Sequence, residues 1–287
     1  MKATNTLSKE LQEKWEALLA TLRDMHKVCI AFSGGVDSTL LLYAAKEALH
    51  NNVLGVTVAS PTLGEEEWSE AERLAKYMGV SHMRVDLNEL EEDAFVNNPP
   101  DRCYHCKKIR FSILSEWALE NGFKWVLDGS NMDDCSDYRP GMKAVEELSH
   151  TVRSPFLEVQ LTKDEIRKLS YAFGLPTWNK KSTPCLATRI PYGMAVTKER
   201  LEQVEKGERY LKEHVGGSVR LRYHEAVARI EVEVEKMPIL LEEPLRLDMI
   251  SFFQGLGFTY VALDLKGFSS GSMNDLLTKE ELLTHSH

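Results

Sequence analysis

Hydrophobic and polar positions follow two regimes along this chain. From 8 to 24 apolar residues recur at helical spacing (Leu11, Trp15, Leu18, Leu19, Leu22), which predicts an amphipathic helix. Strand-like runs then follow at 28–32, 53–58, 82–85 and 125–127. Helix-length stretches at 38–49, 65–78 and 105–120 separate them. The first run, Val-Cys-Ile-Ala-Phe, has no polar position, as expected of a strand buried on both faces. Strands alternating with helices predict an α/β domain with a parallel sheet covered on both sides. A further helix is predicted over 163–173, started by Thr162 and stopped by Gly174 and Pro176. The stretch 176–193 is rich in Pro, Thr, Ser and Lys and reads as loop or linker. Beyond it the pattern changes to a charged helix at 197–214, alternating strands at 218–223 and 227–234, a helix near 243–255 and a strand at 258–264. This predicts a smaller α+β domain with an antiparallel sheet. The expected division is 1–180 and 181–287.

The first strand runs into Ser33-Gly34-Gly35-Val36-Asp37-Ser38, and a leucine-rich helix follows. N–H groups at a helix N-terminus lack partners inside the helix, so such a turn suits phosphate, and glycines let the phosphate approach. The Ser33 and Ser38 hydroxyls add donors, and Asp37 is a candidate Mg²⁺ ligand shared with the phosphates. The lysine of the Walker loop is missing. The motif instead resembles the SGG-x-DS loop of the N-type ATP pyrophosphatases, or PP-loop proteins. That resemblance implies a Rossmann-like adenine nucleotide alpha hydrolase fold. It also implies a loop that grips the β,γ-pyrophosphate, with AMP and pyrophosphate as products.

Bulk composition narrows the partners. The formal net charge of −9 disfavours a large nucleic-acid footprint. No apolar run reaches the roughly 20 residues of a transmembrane helix, and the N-terminus reads as a polar helix start rather than a secretion signal. The expectation is a soluble cytoplasmic protein with a core of its own, 43% of its residues being apolar. Five cysteines in a reducing compartment point to ligands, nucleophiles or core residues rather than disulfides.

Cys103-Tyr104-His105-Cys106 is a C-x-x-C placed just before a predicted helix, and Cys185 lies far away in sequence. Three thiolates suit a 4Fe-4S cluster with one open iron that can carry a labile sulfide. Zinc with His105 as fourth ligand, or a redox dithiol, are the alternatives that spacing leaves open. Cys29 reads as a small buried hydrophobe. Cys135, in an acidic loop, is a weaker candidate ligand.

Further segments carry a narrower resemblance. They are Asp128-Gly129-Ser130-Asn131 with Asp133-Asp134, Asp137-Tyr138-Arg139-Pro140-Gly141, Ser154-Pro155-Phe156, Cys185-Leu186-Ala187-Thr188-Arg189-Ile190-Pro191-Tyr192-Gly193, Arg220-Leu221-Arg222-Tyr223-His224, and Asp264-Leu265-Lys266-Gly267 with Gly271-Ser272-Met273-Asn274. Together they resemble the family of ATP-dependent sulfur transferases that mature the nickel-pincer cofactor of lactate racemase, over nearly the whole chain. The resemblance implies ATP and Mg²⁺, a pyridinium dicarboxylate mononucleotide as substrate, and a sulfide or other sulfur donor. It implies Asp128 and Gly129 near the nucleotide and Lys107 beside the sulfur donor. It also implies Arg220 and Arg222 on the substrate phosphate, with Arg189 as a further candidate there. Arginines at i and i+2 on a strand share a face.

Some relatives hold a lone cysteine at the place of Cys185 and sacrifice its sulfur. The added Cys103 and Cys106 resemble the branch thought to hold a 4Fe-4S cluster. Glu208 and Glu231 are expected as surface charge, with a second metal as the alternative. The resemblance also implies homo-oligomers, such as hexamers. A tRNA thiolase is the second functional reading, disfavoured by the net charge of −9. An amide-forming synthetase of the NAD or GMP type would not need the cysteines. A nucleotide-binding or iron–sulfur sensing module is the non-enzyme alternative.

Overall fold

A computed structural model describes residues 7–135, 139–181, 184–269, 273 and 278. Asp137, Tyr138, Gly271, Ser272 and Asn274 of the motifs above lie outside the described residues. In chain order the elements are α1 (Lys9–Asp24), β1 (Val28–Ala31), α2 (Val36–Leu49), β2 (Val53–Ala59), α3 (Glu65–Tyr77), β3 (Ser81–Asp86), α4 (Asp93–Val96), α5 (Arg102–Glu120), β4 (Trp125–Leu127), α6 (Gly141–Glu147), β5 (Val152–Arg153), α7 (Pro155–Glu158), α8 (Lys163–Ala172), α9 (Lys198–His214), β6 (Val219–His224), β7 (Val227–Val232), α10 (Met237–Leu241), α11 (Leu245–Gly255) and β8 (Tyr260–Leu263). They form two compact units. The first takes in the described residues to Glu89 and those from Asp101 to 181, the second Leu90–Pro100 and the residues from Pro184 on.

The first unit is a parallel sheet with strand order β3-β2-β1-β4-β5. Val28, Cys29 and Ile30 of β1 are fully buried because both faces are covered. Ile30 joins the core built with α1, α2 and α8, while Cys29 joins Val56, Phe111 and Val126 under α5. Burial pushes the Cys29 thiol up to about 12, so it stays a protonated core residue. Trp15 of α1 packs its ring 4.5 Å from Phe173 and 6.2 Å from Tyr43, tying α1 to α2 and to the end of α8. α8 starts with a capping box between Thr162 and Glu165. The strand order turns around at β1: β2 and β3 lie to one side, β4 and β5 to the other. In an open α/β sheet the crevice at such a switch point, beyond the carboxyl ends of the strands, takes the ligand.

The second unit carries a three-stranded sheet, β6-β7-β8. It is mixed, not antiparallel as the alternation suggested: β7 runs antiparallel to β6 but parallel to β8, because α10 and α11 intervene between β7 and β8 as a crossover. Val219, Leu221 and Tyr223 point to one face, opposite Val232, Ile230 and Ala228. α9 packs closely there, since a Cβ on Gly207 would stand 2.3 Å from Leu221 Cδ2. The segment Leu90–Pro100 is bound into this unit by Asn98. Its buried side-chain amide donates to the carbonyls of Ile190 (3.2 Å), Pro191 (2.7 Å) and Met194 (3.0 Å).

Candidate functional site

In the first unit, β1 ends at the phosphate-loop motif and β4 ends beside it. Gly34 takes φ +68°, a left-handed conformation that L side chains rarely adopt. Gly35 is the N-cap of α2 and has no side chain to offer, so no cap side chain covers the first-turn N–H groups, an arrangement suited to an anion. The two serine hydroxyls shape the loop: Ser38 Oγ lies 3.1 Å from Ser33 Oγ and accepts from the Ser33 N–H at 3.3 Å. Ser38 also donates to the Gly35 carbonyl at 3.4 Å. Gly129, after β4, lies against this turn. A Cβ there would stand 3.2 Å from Asp37 Cβ and 3.4 Å from the Ser38 nitrogen.

Asp37 opens α2 and accepts from Asn131 Nδ2 at 3.4 Å. Its other oxygen pairs with Lys163 Nζ. Lys163 was expected only as a helix start. A cation at the positive end of a helix dipole is unfavourable locally, but that oddity in the sequence names no partner, which lies 126 residues away.

Asp128 closes the other side. It is buried and accepts from Lys107 Nζ (2.8 Å), the Ser130 N–H (2.8 Å) and the Ser154 hydroxyl (2.9 Å). Burial pushes its carboxyl up, but Lys107 and the Ser130 hydrogen bonds outweigh this and hold it below its ordinary 3.8. A carboxyl depressed by folding adds stability above its unfolded pKa and loses it as the pH falls through the folded one. Asp128→Asn should therefore flatten the acid side of a urea-midpoint-against-pH curve below about pH 4. A curve that keeps its wild-type acid slope would exclude this.

Cys103 and Cys106 lie inside the first two turns of α5 rather than before it, the helix starting at Arg102. Cys103 is exposed and Cys106 half-buried. Cys106 Sγ lies 3.9 Å from Glu89 Oε1, which also accepts from Arg110 Nε at 2.6 Å. Lys107, the next residue, turns instead toward Asp128.

In the second unit, Cys185 is half-buried and precedes a 3-10 turn, Leu186–Arg189. Arg189 Nη1 donates to the Cys185 carbonyl at 3.1 Å, and its Nε pairs with Glu208 at 2.7 Å. Arg222 makes a two-point pair with Glu231, Nε and Nη2 each 2.9 Å from an oxygen. Glu208 and Glu231 are thus buried partners of arginines, not the surface charges expected of them; they are 3% and 1% exposed. Alternation misled there because Arg220, Arg222, Arg229 and Glu231 share the second face of the sheet, and that face is itself buried around Glu231. Arg220 differs from its neighbours. Its guanidinium lies over the Phe268 ring at 5.0 Å and donates to its own strand at Val219. Burial, with Arg189 and Arg222 adding repulsion, lowers it from 12.5 to about 10, so it remains a cation at neutral pH.

Comparison with known proteins bears on this arrangement. A PP-loop domain model matches residues 7–138. The chain is 40% identical over 275 residues to the pyridinium-3,5-bisthiocarboxylic acid mononucleotide synthase of Lactiplantibacillus plantarum, covering 96% of this chain and 98% of the relative. The chain belongs to this synthase family. An uncharacterised protein of Synechocystis sp. is 39% identical over 94% of this chain and 100% of its own length. Another, from Methanocaldococcus jannaschii, is 30% identical over 85% of this chain and 91% of its own length. As a member of the synthase family with a PP-loop domain, the chain is an ATP-dependent enzyme of the adenylating kind.

Among the described residues of this family member, no three His, Cys, Asp or Glu side chains gather as a metal-holding group. None of the described helices is long and apolar enough to cross a membrane. The thiols themselves suit soft metals: Cys103 and Cys106 are unbridged, stand at i and i+3 on one helix face, and are not sealed in the core.

Proposed function

We propose that this enzyme thiolates the carboxylates of a pyridinium-3,5-biscarboxylic acid mononucleotide, consuming ATP, for nickel-pincer cofactor synthesis. The observation that carries the reading is the 40% identity to the named synthase over 96% of the chain. The phosphate loop at the sheet's switch point gives it a physical basis.

A carboxylate is a poor electrophile because oxide is a poor leaving group. The first-turn N–H groups of α2 hold the β,γ-phosphates, and Lys163 offsets their charge. A substrate carboxylate oxygen attacks the α-phosphorus, and the bond to the bridging oxygen breaks to release pyrophosphate. The acyl-adenylate now carries AMP as leaving group. A sulfur nucleophile adds to the acyl carbon and expels AMP, leaving a thiocarboxylate. Asp37 is the residue that would hold Mg²⁺, which neutralises phosphate charge when bound. Cys103, Cys106 and Cys185 would hold a 4Fe-4S cluster, whose open iron supplies transferable sulfide when it is present. Arg220 and Arg222, with Arg189, are the candidate anchors of the substrate phosphate. Of these Arg220 is the one whose guanidinium makes no two-point carboxylate pair.

The reading predicts that the biscarboxylate mononucleotide stimulates AMP release from ATP. Failure to stimulate, with ATP binding intact, would exclude the substrate. It further predicts about four irons and four acid-labile sulfides per chain in protein purified without oxygen, both lost in Cys185→Ala. No iron after reconstitution, with AMP release intact, would instead assign Cys185 as a sacrificed sulfur donor.

A further inference from the structure

A lysine outside every motif above reaches the phosphate loop. Lys180 Nζ donates to the carbonyl of Gly34 at 3.0 Å and to Glu70 Oε2 at 2.6 Å. Its backbone is fixed by Arg167, whose Nη2 donates to the Lys180 carbonyl at 3.0 Å and whose Nη1 donates to that of Trp178 at 2.7 Å. The ammonium is therefore delivered to the loop by a braced segment rather than by a free side chain. It has three hydrogens, of which these two acceptors use two. The side chain keeps 25% of its surface exposed, and that of Glu70 keeps 37%. The carbonyl it holds belongs to the residue before Gly35, the N-cap of α2, which offers no side chain to that helix's first-turn N–H groups.

We infer that Lys180 is a nucleotide-binding residue: its ammonium, kept at the loop by the Gly34 carbonyl, exchanges Glu70 for a phosphate oxygen of bound ATP and of the leaving pyrophosphate. The inference rests on the nucleotide reading of the phosphate loop and adds a residue to it. A triphosphate with Mg²⁺ presents several anionic oxygens where Glu70 presents one carboxylate, so the exchange favours the nucleotide. Lys163 and Lys180 then bracket the loop from the start of α8 and from beyond its end, one at Asp37 and one at Gly34.

The sign of one substitution separates this from a lysine that only braces the loop. With Glu70→Gln the competing anion is gone, and binding of α,β-methylene-ATP with Mg²⁺ to the full chain should tighten several-fold by calorimetry. Lys180→Met, which keeps the aliphatic stem, should weaken it about tenfold, the scale of one charge-assisted contact. The double variant should match Lys180→Met, because Glu70 then has nothing to compete for. Melting temperatures of all three check folding. A brace would give the opposite sign, since Glu70→Gln would loosen the lysine and weaken or leave binding unchanged. Weaker or unchanged binding by Glu70→Gln, or wild-type binding by Lys180→Met, overturns the inference while the nucleotide reading stands. A wild-type chain that binds no ATP analogue overturns both.

Discussion

Glu231→Ala should lower the stability of the second unit by about 3–5 kcal/mol, the cost of leaving one buried charge without its partner. Glu231 is 1% exposed and holds Nε and Nη2 of Arg222, each at 2.9 Å. It also lies 3.4 Å from Arg229, but Arg229 keeps Asp264 as a partner, so the cation that loses its carboxylate on the covered face is Arg222. The pair itself need not be a large net stabiliser, because burying two charges costs about what their attraction returns. The double change Arg222→Met with Glu231→Leu should therefore recover most of the loss, and urea titrations of the single and double variants test both statements. A single variant within about 1 kcal/mol of wild type would show that water reaches the pair.

Asp37→Asn should cut ATP-dependent pyrophosphate release by two to three orders of magnitude, about the effect of removing one aligned electrostatic contact from a transition state. On the proposed reading Asp37 does two things that a neutral amide does far less well: it pairs its charge with the Lys163 ammonium beside the loop, and it would offer a charged oxygen to Mg²⁺. Its neighbours persist, since the turn is shaped by Ser33 and Ser38 and by the close approach of Gly129. Folding should therefore be nearly unchanged, and the loss should appear in turnover. Single-turnover quench measurements read it directly, and release within tenfold of wild type would place the charge-bearing step elsewhere.

What was legible in the sequence was what local spacing encodes. The strand–turn–helix at 28–49 announced the phosphate loop because the apolar run, the glycines and the leucine face are neighbours in the chain. The capped start of α8 was legible for the same reason. The two lysines that meet the loop were not, since Lys163 finds its partner 126 residues away and Lys180 finds its own 146 residues away. Nor was β5, a two-residue strand too short for any periodicity, nor the parallel pairing of β8 with β7. Glu208 and Glu231 read as surface because charge on an alternating strand or a charged helix is usually solvated. Their burial is made tolerable chiefly by the opposing arginines, with the Leu221 N–H adding to Glu208, and all of these come from other elements.

The excursion Leu90–Pro100 sets limits on how this gene can be divided. The chain leaves the first unit at Leu90, returns at Asp101 and leaves again near Pro184. Phe95, fully buried, and Asn98, whose amide holds the carbonyls of Ile190, Pro191 and Met194, belong to the second unit although they are encoded within the first half. A cut near residue 180 would deprive the second unit of an inner part and leave the first with a loose apolar loop. The two halves are thus not interchangeable cassettes, and a recombination event that preserves both must carry that eleven-residue insert along with the segment that receives it.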